Sequence, residues 1–150
     1  MIYKSFSERD TRELAERVAG GVKRGDMVTL SGELGSGKTF FARALIEYFF
    51  PPQERTSLNV TSPTFNLVKG YSTPGFDIYH MDLYRIGKVE ELYELDLETI
   101  FQNVSLVEWP SLIYGLRPRD STLEIEIRVL EDHREFILGD STAKLVSGRG

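Results

Sequence analysis

A chain of 150 residues with 41% hydrophobic and 27% charged residues has the make-up of one ordinary globular domain, residues 1–150, with little room for a second core. Its net charge of −5 and pI near 5.1 argue against extensive wrapping of nucleic acid, which needs a basic face to displace counterions. The absence of cysteine excludes disulfides and thiolate metal sites and suits a reducing cytoplasm. No apolar run approaches the ~20 residues that cross a bilayer, and the first five residues lack the apolar core of a secretion signal.

In chain order, Ser7 followed by Glu8 and Asp10 reads as a capped helix start, with acids in the first turn where the helix dipole favours them. Thr11, Leu14, Ala15, Val18, Ala19 and Val22 then recur at helical spacing, and Gly20-Gly21 ends the run. Capping is the default role for Ser7 and Glu8. Residues 27–30 form a short apolar run that reads as a buried strand, and residues 40–50 read as a helix stopped by Pro51-Pro52. That helix is apolar on nearly every face, which predicts burial among other elements.

Between this strand and helix lies Gly32-Glu33-Leu34-Gly35-Ser36-Gly37-Lys38-Thr39, which fits G-x-x-x-x-G-K-[ST], the loop that wraps nucleotide phosphates. Glycines at these positions can turn successive N–H groups toward phosphate oxygens. The helix N-terminus adds partial positive charge. Lys38 can reach the β- and γ-phosphates, and the Thr39 hydroxyl is a ligand for the accompanying Mg²⁺. The candidate nucleotide-binding set therefore runs through Glu33, Leu34, Gly35, Ser36, Gly37, Lys38, Thr39 and Phe40.

Residues 51–59 read as a polar loop and the candidate mobile segment. Val60-Thr61-Ser62-Pro63-Thr64-Phe65 is crowded with hydroxyls. Ser62 and Thr64 would either meet a γ-phosphate at about the right distance from the Walker lysine, or belong to an ordinary turn. Residues 65–72 and 76–85 around Thr73-Pro74-Gly75 predict a hairpin, with Ile78, His80, Asp82 and Tyr84 on one face of the second strand. Their shared face would let His80 and Asp82 form a hydrogen-bonded pair, although a lone strand histidine is more often structural.

Residues 89–95 and 96–101 predict two short acidic helical pieces, most simply a solvated face. Val104-Ser105-Leu106-Val107-Glu108-Trp109-Pro110 is an apolar strand ending in a carboxylate, the Walker-B arrangement. Glu108 and Asp82 compete for the metal. The strand end marked by Pro110 favours Glu108, since strand ends face the ligand in open α/β sheets. Residues 123–129 alternate as a half-exposed strand, and residues 134–138 return as another, a hairpin expected to extend the sheet antiparallel. Arg134 at its start is either a cation near base or phosphates or a solvated side chain. Residues 141–150 read as a loose tail.

Four blocks together resemble one family, the small bacterial P-loop ATPases called TsaE that serve threonylcarbamoyladenosine modification of tRNA. They are the Gly32–Thr39 loop, Thr61-Ser62-Pro63-Thr64-Phe65, Tyr79-His80-Met81-Asp82-Leu83-Tyr84-Arg85, and Leu106-Val107-Glu108-Trp109-Pro110. The resemblance runs from about Ser7 to Arg134. It implies an ATPase acting in the cytoplasm with a TsaB–TsaD heterodimer, tRNA being contacted mainly through that complex, with no membrane involved. It implies ATP and Mg²⁺ as cofactors, with Thr39 and Glu108 as metal ligands and Lys38, Asp82 and Glu108 as the catalytic set. Trp109 would lie beside the nucleotide, and Ser7, Glu8, Thr64 and Arg134 near it. The expected fold is α/β, a P-loop NTPase-like three-layer sandwich whose mixed sheet has parallel core strands and antiparallel hairpin extensions. No arginine finger adjoins the motifs, so slow turnover alone and stimulation by partners are expected. The alternative is a small-molecule kinase using the same loop, which needs an acceptor pocket and usually a lid. No Asn-Lys-x-Asp guanine reader occurs in the chain.

Overall fold

The computed structural model describes residues 1–63 and 66–148; Thr64 and Phe65 of the hydroxyl-rich segment, like the last two residues, lie outside the described residues. Strand β2 (Met27–Gly32) is the axis of the molecule. It is flanked on both edges by parallel strands, with Leu30 opposite Glu108 on one side and opposite Ile125 on the other. A strand paired on both edges and covered on both faces is buried on both, and residues 27–30 all are, the lone polar Thr29 accepting from the Tyr114 hydroxyl at 2.9 Å.

The sheet has seven strands in the order β1-β7-β6-β2-β5-β4-β3. Its parallel centre is β6 (Leu123–Val129), β2, β5 (Val104–Glu108) and β4 (Asp77–Asp82). Antiparallel strands extend both edges: β3 (Val68–Ser72) beside β4, and β7 (Arg134–Leu138) then β1 (Ile2–Ser5) beyond β6.

Period-two alternation in the strands divides the apolar side chains between two faces. Val28, Leu30, Ile78, Leu106 and Ile125 meet Leu14 and Val18 of α1 (Glu8–Ala19), Phe41 and Leu45 of α2 (Lys38–Glu47), and Val146 of α5 (Asp140–Val146). Met27, Met81 and Val107 meet Leu92, Ile113 and Ile100, the last from α4 (Leu97–Gln102). The Phe41 and Phe136 rings, both fully buried, lie 5.7 Å apart between α2 and β7. The α/β three-layer expectation holds, and so do the helix over residues 8–19, the hairpin around Thr73-Pro74-Gly75 and the buried strand before Glu108.

Several local expectations are corrected. Residues 51–59 are not a loop: α3 (Pro52–Leu58) occupies them. Pro52 falls in the first turn, where a missing N–H is harmless, and α3 buries no residue, so it lacks the apolar stripe that marks a helix in sequence. The tail is likewise helical from Asp140 to Val146, and Thr142 and Val146 are buried. The Thr142 hydroxyl donates to the Glu124 carbonyl at 2.9 Å and Arg17 Nη2 donates to the Val146 carbonyl at 2.6 Å. Helix α2 ends at Glu47, with Tyr48 as its C-cap, before the prolines are reached. The 123–138 hairpin is antiparallel internally, but β6 itself joins the parallel core beside β2.

Candidate functional site

The turn from β2 into α2 is built by glycines that hold left-handed backbone: Gly35 at φ 77° and Gly37 at φ 111°. Gly37 is also the N-cap of α2, with no side chain over the first turn. The first amides of the helix therefore point outward, and the helix dipole adds positive charge at the same place. A side chain on Gly32 would put its Cβ 2.7 Å from the Ile127 carbonyl oxygen and 2.7 Å from Ser36 Oγ. The loop has to run that close to β6.

Lys38 is 5% exposed. Its ammonium donates to the carbonyls of Gly32 at 2.8 Å and Glu33 at 2.9 Å and lies 4.2 Å from the centre of the Trp109 ring. Burial pushes its pKa down, and the nearby Glu108 and Asp82 carboxylates push it back up. The charge is thus held by the loop's own carbonyls at the mouth of the turn.

Across a cavity of about 350 Å³ stand the carboxylates, brought together because β4 and β5 run parallel with Asp82 opposite Glu108. Thr39 Oγ1 lies 3.2 Å from both Glu108 oxygens, a hydroxyl donor shared between them. Asp82 accepts from the Ser62 hydroxyl and, at 3.0 Å, from the Tyr84 amide. The His80–Asp82 pair that their shared face would allow is not formed. His80 Nε2 instead lies 2.6 Å from Glu108 Oε2, a diagonal contact between strands. Trp109 has φ 56°, an uncommon angle for a side chain of this size. That backbone turn and a tilted ring contact with Tyr84, centroids 4.9 Å apart, set the indole beside the cavity.

Gly35, Gly37, Lys38, Thr39, Asp82, Glu108 and Trp109 line this one cavity, joined by Leu34 and Phe40. Leu34 is 70% exposed on its rim, whereas Glu33, also exposed, is not brought into this cavity and lines neighbouring hollows with Gly32. Ser36 is buried, its hydroxyl without a partner among the described residues and turned toward Gly32. Glu8 and Arg134 line a smaller hollow of about 100 Å³ on the other side of Gly37 and Phe40. The Ser7 side chain accepts from the Asp10 amide and caps α1, as its default reading expects. Thr64 lies outside the described residues. The sequence reading missed three lining residues. Tyr84 is one, although it stands in the block around Asp82; Thr11 and Phe136, read only as helix stripe and strand, are the others.

Among the described residues no three His, Cys, Asp or Glu side chains gather as a ready cage for a metal ion. The donor set suits a hard cation of the Mg²⁺ kind. Such ions take one or two protein oxygens and fill the remaining positions with phosphate and water, and Thr39 and Glu108 could supply two such oxygens beside the glycine-rich turn.

The family model described as "Threonylcarbamoyl adenosine biosynthesis protein TsaE" matches residues 5–136. The chain belongs to the TsaE family. A TsaE from Rickettsia bellii is 44% identical over 131 residues, covering 87% of this chain and 88% of the relative. A Bacillus subtilis TsaE is 34% identical over 136 residues, covering 89% and 82%. The crystal structure of Bacillus subtilis YdiB superposes with a TM-score of 0.73 at 31% identity, covering 98% of this chain and 91% of that one. The TsaE match takes in every cavity-lining residue named above. No helix among the described residues is long and apolar enough to cross a membrane.

Proposed function

We propose that this TsaE-family chain is a Mg²⁺-dependent ATPase of the machinery that makes threonylcarbamoyladenosine in tRNA, working in the cytoplasm with a TsaB–TsaD pair. One observation carries the reading. The Lys38 ammonium, the Thr39 hydroxyl and the Glu108 carboxylate converge at the uncapped N-terminus of α2, beside glycines whose φ angles open the loop.

In this reading the amides of residues 35–39 and Lys38 hold the β- and γ-phosphates, and Lys38 exchanges its two loop carbonyls for phosphate oxygens. Thr39 and Glu108 would hold Mg²⁺, which would offset charge on the departing phosphoryl group. Asp82, fixed by Ser62 and the Tyr84 amide, accepts a hydrogen bond from the attacking water and orients it. The indole of Trp109 and the rim at Leu34 narrow the opening of the cavity. Glu8 and Arg134, across Gly37, form the second place where the nucleotide touches the chain. Among the described residues that line the cavity, Lys38 is the sole cation, so little on this chain neutralises the transition state. The isolated protein is therefore expected to turn over slowly.

The deciding experiment measures ATP binding by calorimetry with and without Mg²⁺, then ATP hydrolysis with and without purified TsaB–TsaD and tRNA. Binding that requires the intact loop, with hydrolysis raised by the partner pair, supports the reading. A folded chain that takes up no adenine nucleotide overturns it, and equal rates with and without the pair overturn the coupling. Transfer of the γ-phosphate to a nucleoside or vitamin acceptor would favour the kinase reading instead.

A further inference from the structure

We infer that His80 is a positioning residue of this site, holding the Glu108 carboxylate in place so that Thr39 is free to turn toward the cation. The inference rests on the reading of Thr39 and Glu108 as the cation's ligands, and it adds a residue which that reading does not use.

His80 is fully buried on β4, on the sheet face that carries Ile78 and, across the strand pair, Leu106. A leucine would fill such a place without any polar group to satisfy. The imidazole Nδ1 is buried and has no hydrogen-bond partner among the described residues. Leaving a buried nitrogen unpaired is unfavourable, so the other nitrogen has to offset it. That nitrogen, Nε2, makes the 2.6 Å contact to Glu108 Oε2. With nothing among the described residues at Nδ1 to receive a proton, the tautomer that serves this bond carries its hydrogen on Nε2 and donates it to the carboxylate.

The second donor to Glu108 behaves differently. The Thr39 hydroxyl is 3.2 Å from both carboxylate oxygens, long for an O–H donor and divided between two acceptors. A hydroxyl that becomes a metal ligand has to present its oxygen lone pair to the ion, and it then no longer restrains Glu108 in the same way. His80 does not face that exchange. It is anchored in the strand behind the carboxylate, and its Nε2–H keeps Oε2 fixed while the remaining lone pairs stay available. Hydrogen-bonded outer partners of this kind orient metal-binding carboxylates in many proteins, and removing one weakens metal affinity roughly 10- to 100-fold.

The test uses the full chain in four forms: wild type, His80→Leu, His80→Gln and Glu108→Gln. Calorimetry measures the affinity for a non-hydrolysable ATP analogue with and without Mg²⁺, and the readout is the gain that Mg²⁺ confers. His80→Leu is expected to cut that gain roughly 10- to 100-fold while leaving the Mg²⁺-free affinity unchanged. His80→Gln, which can present an N–H at similar reach, restores most of it. Proton NMR of the nucleotide-free wild type should show a downfield His80 Nε2–H bonded to a carboxylate.

If both His80 variants keep the full gain while Glu108→Gln loses it, the inference is overturned and the role of Glu108 stands. If Glu108→Gln also keeps the gain, both are overturned. A glutamine variant as defective as leucine counts against the inference, since the donor is then present without effect. Should His80→Leu fail to fold, absence of the Nε2–H signal in wild type overturns it alone.

Discussion

The buried ammonium of this site is held by groups that a ligand can replace. Lys38 rests on two carbonyls of its own loop and on the Trp109 ring. Those contacts keep a buried ammonium satisfied without fixing it irreversibly. Replacing it with alanine removes a charge-assisted phosphate contact that contributes about 1.5–3 kcal/mol, so ATP should bind roughly 10- to 100-fold more weakly by calorimetry. Glu108→Ala should change Mg²⁺ dependence far more than Mg²⁺-free affinity, because Glu108 stands beside Thr39 rather than beside the amides of the turn. A variant with an unaltered Mg²⁺ titration would remove Glu108 from the metal site. Gly37→Ala meets open space, its nearest neighbour being Arg134 Nε at 3.8 Å, but φ 111° strains any L residue. Loss of ligand affinity should therefore accompany lower stability in that variant.

The supporting elements place these residues at some distance. Helix α1 starts on the Ser7 side chain, which accepts from the Asp10 amide at 3.1 Å. Ser7→Ala should cost about 1 kcal/mol of stability in a denaturant titration, and an unchanged midpoint would show that the cap is not needed. Helix α5 closes the sheet face behind α1 through the buried Val146 and the bond from Arg17 to its carbonyl. Ending the chain at Gly139 should lower the melting temperature while leaving the residues of the cavity around Lys38 in place. Truncation without effect on melting would mean that α5 adds nothing to the core. Helix α3 differs in kind, since it buries none of its residues fully, and substitutions at its exposed positions, away from Arg55 and the core-contacting Leu58, should be nearly neutral.

For the whole molecule the critical joint lies between the parallel centre and the antiparallel edge. Phe136 of β7 is fully buried against Phe41 of α2, so one ring pair links the strand that begins at Arg134 to the helix that begins at Lys38. Phe136→Ala should destabilise the fold by about 3–5 kcal/mol, read as a lower denaturation midpoint. The hollow that Phe136 lines with Glu8 and Arg134 should lose its shape at the same time.

Wherever local signals agree with one another, the sequence is enough. The glycine-rich turn between an apolar strand and an apolar helix sets up the loop of the site, because left-handed angles, an uncapped helix N-terminus and a lysine all belong to one short stretch. The capped first helix and the Pro-Gly hairpin are equally local. Helices α3 and α5 escaped because each is only seven residues long, too short for an apolar stripe to stand out from polar neighbours. Strand β1 escaped because its pairing lies with β7, at the far end of the chain.

The chain by itself determined which residues could do the chemistry, since residue type and spacing carry that information directly. Only the folded sheet decided who bonds to whom: Glu108 rather than Asp82 receives His80, and β6 joins the parallel core rather than an antiparallel edge. Those outcomes depend on strand order and register, which arise from burying two faces of one sheet at once, and no stretch of neighbouring residues encodes them.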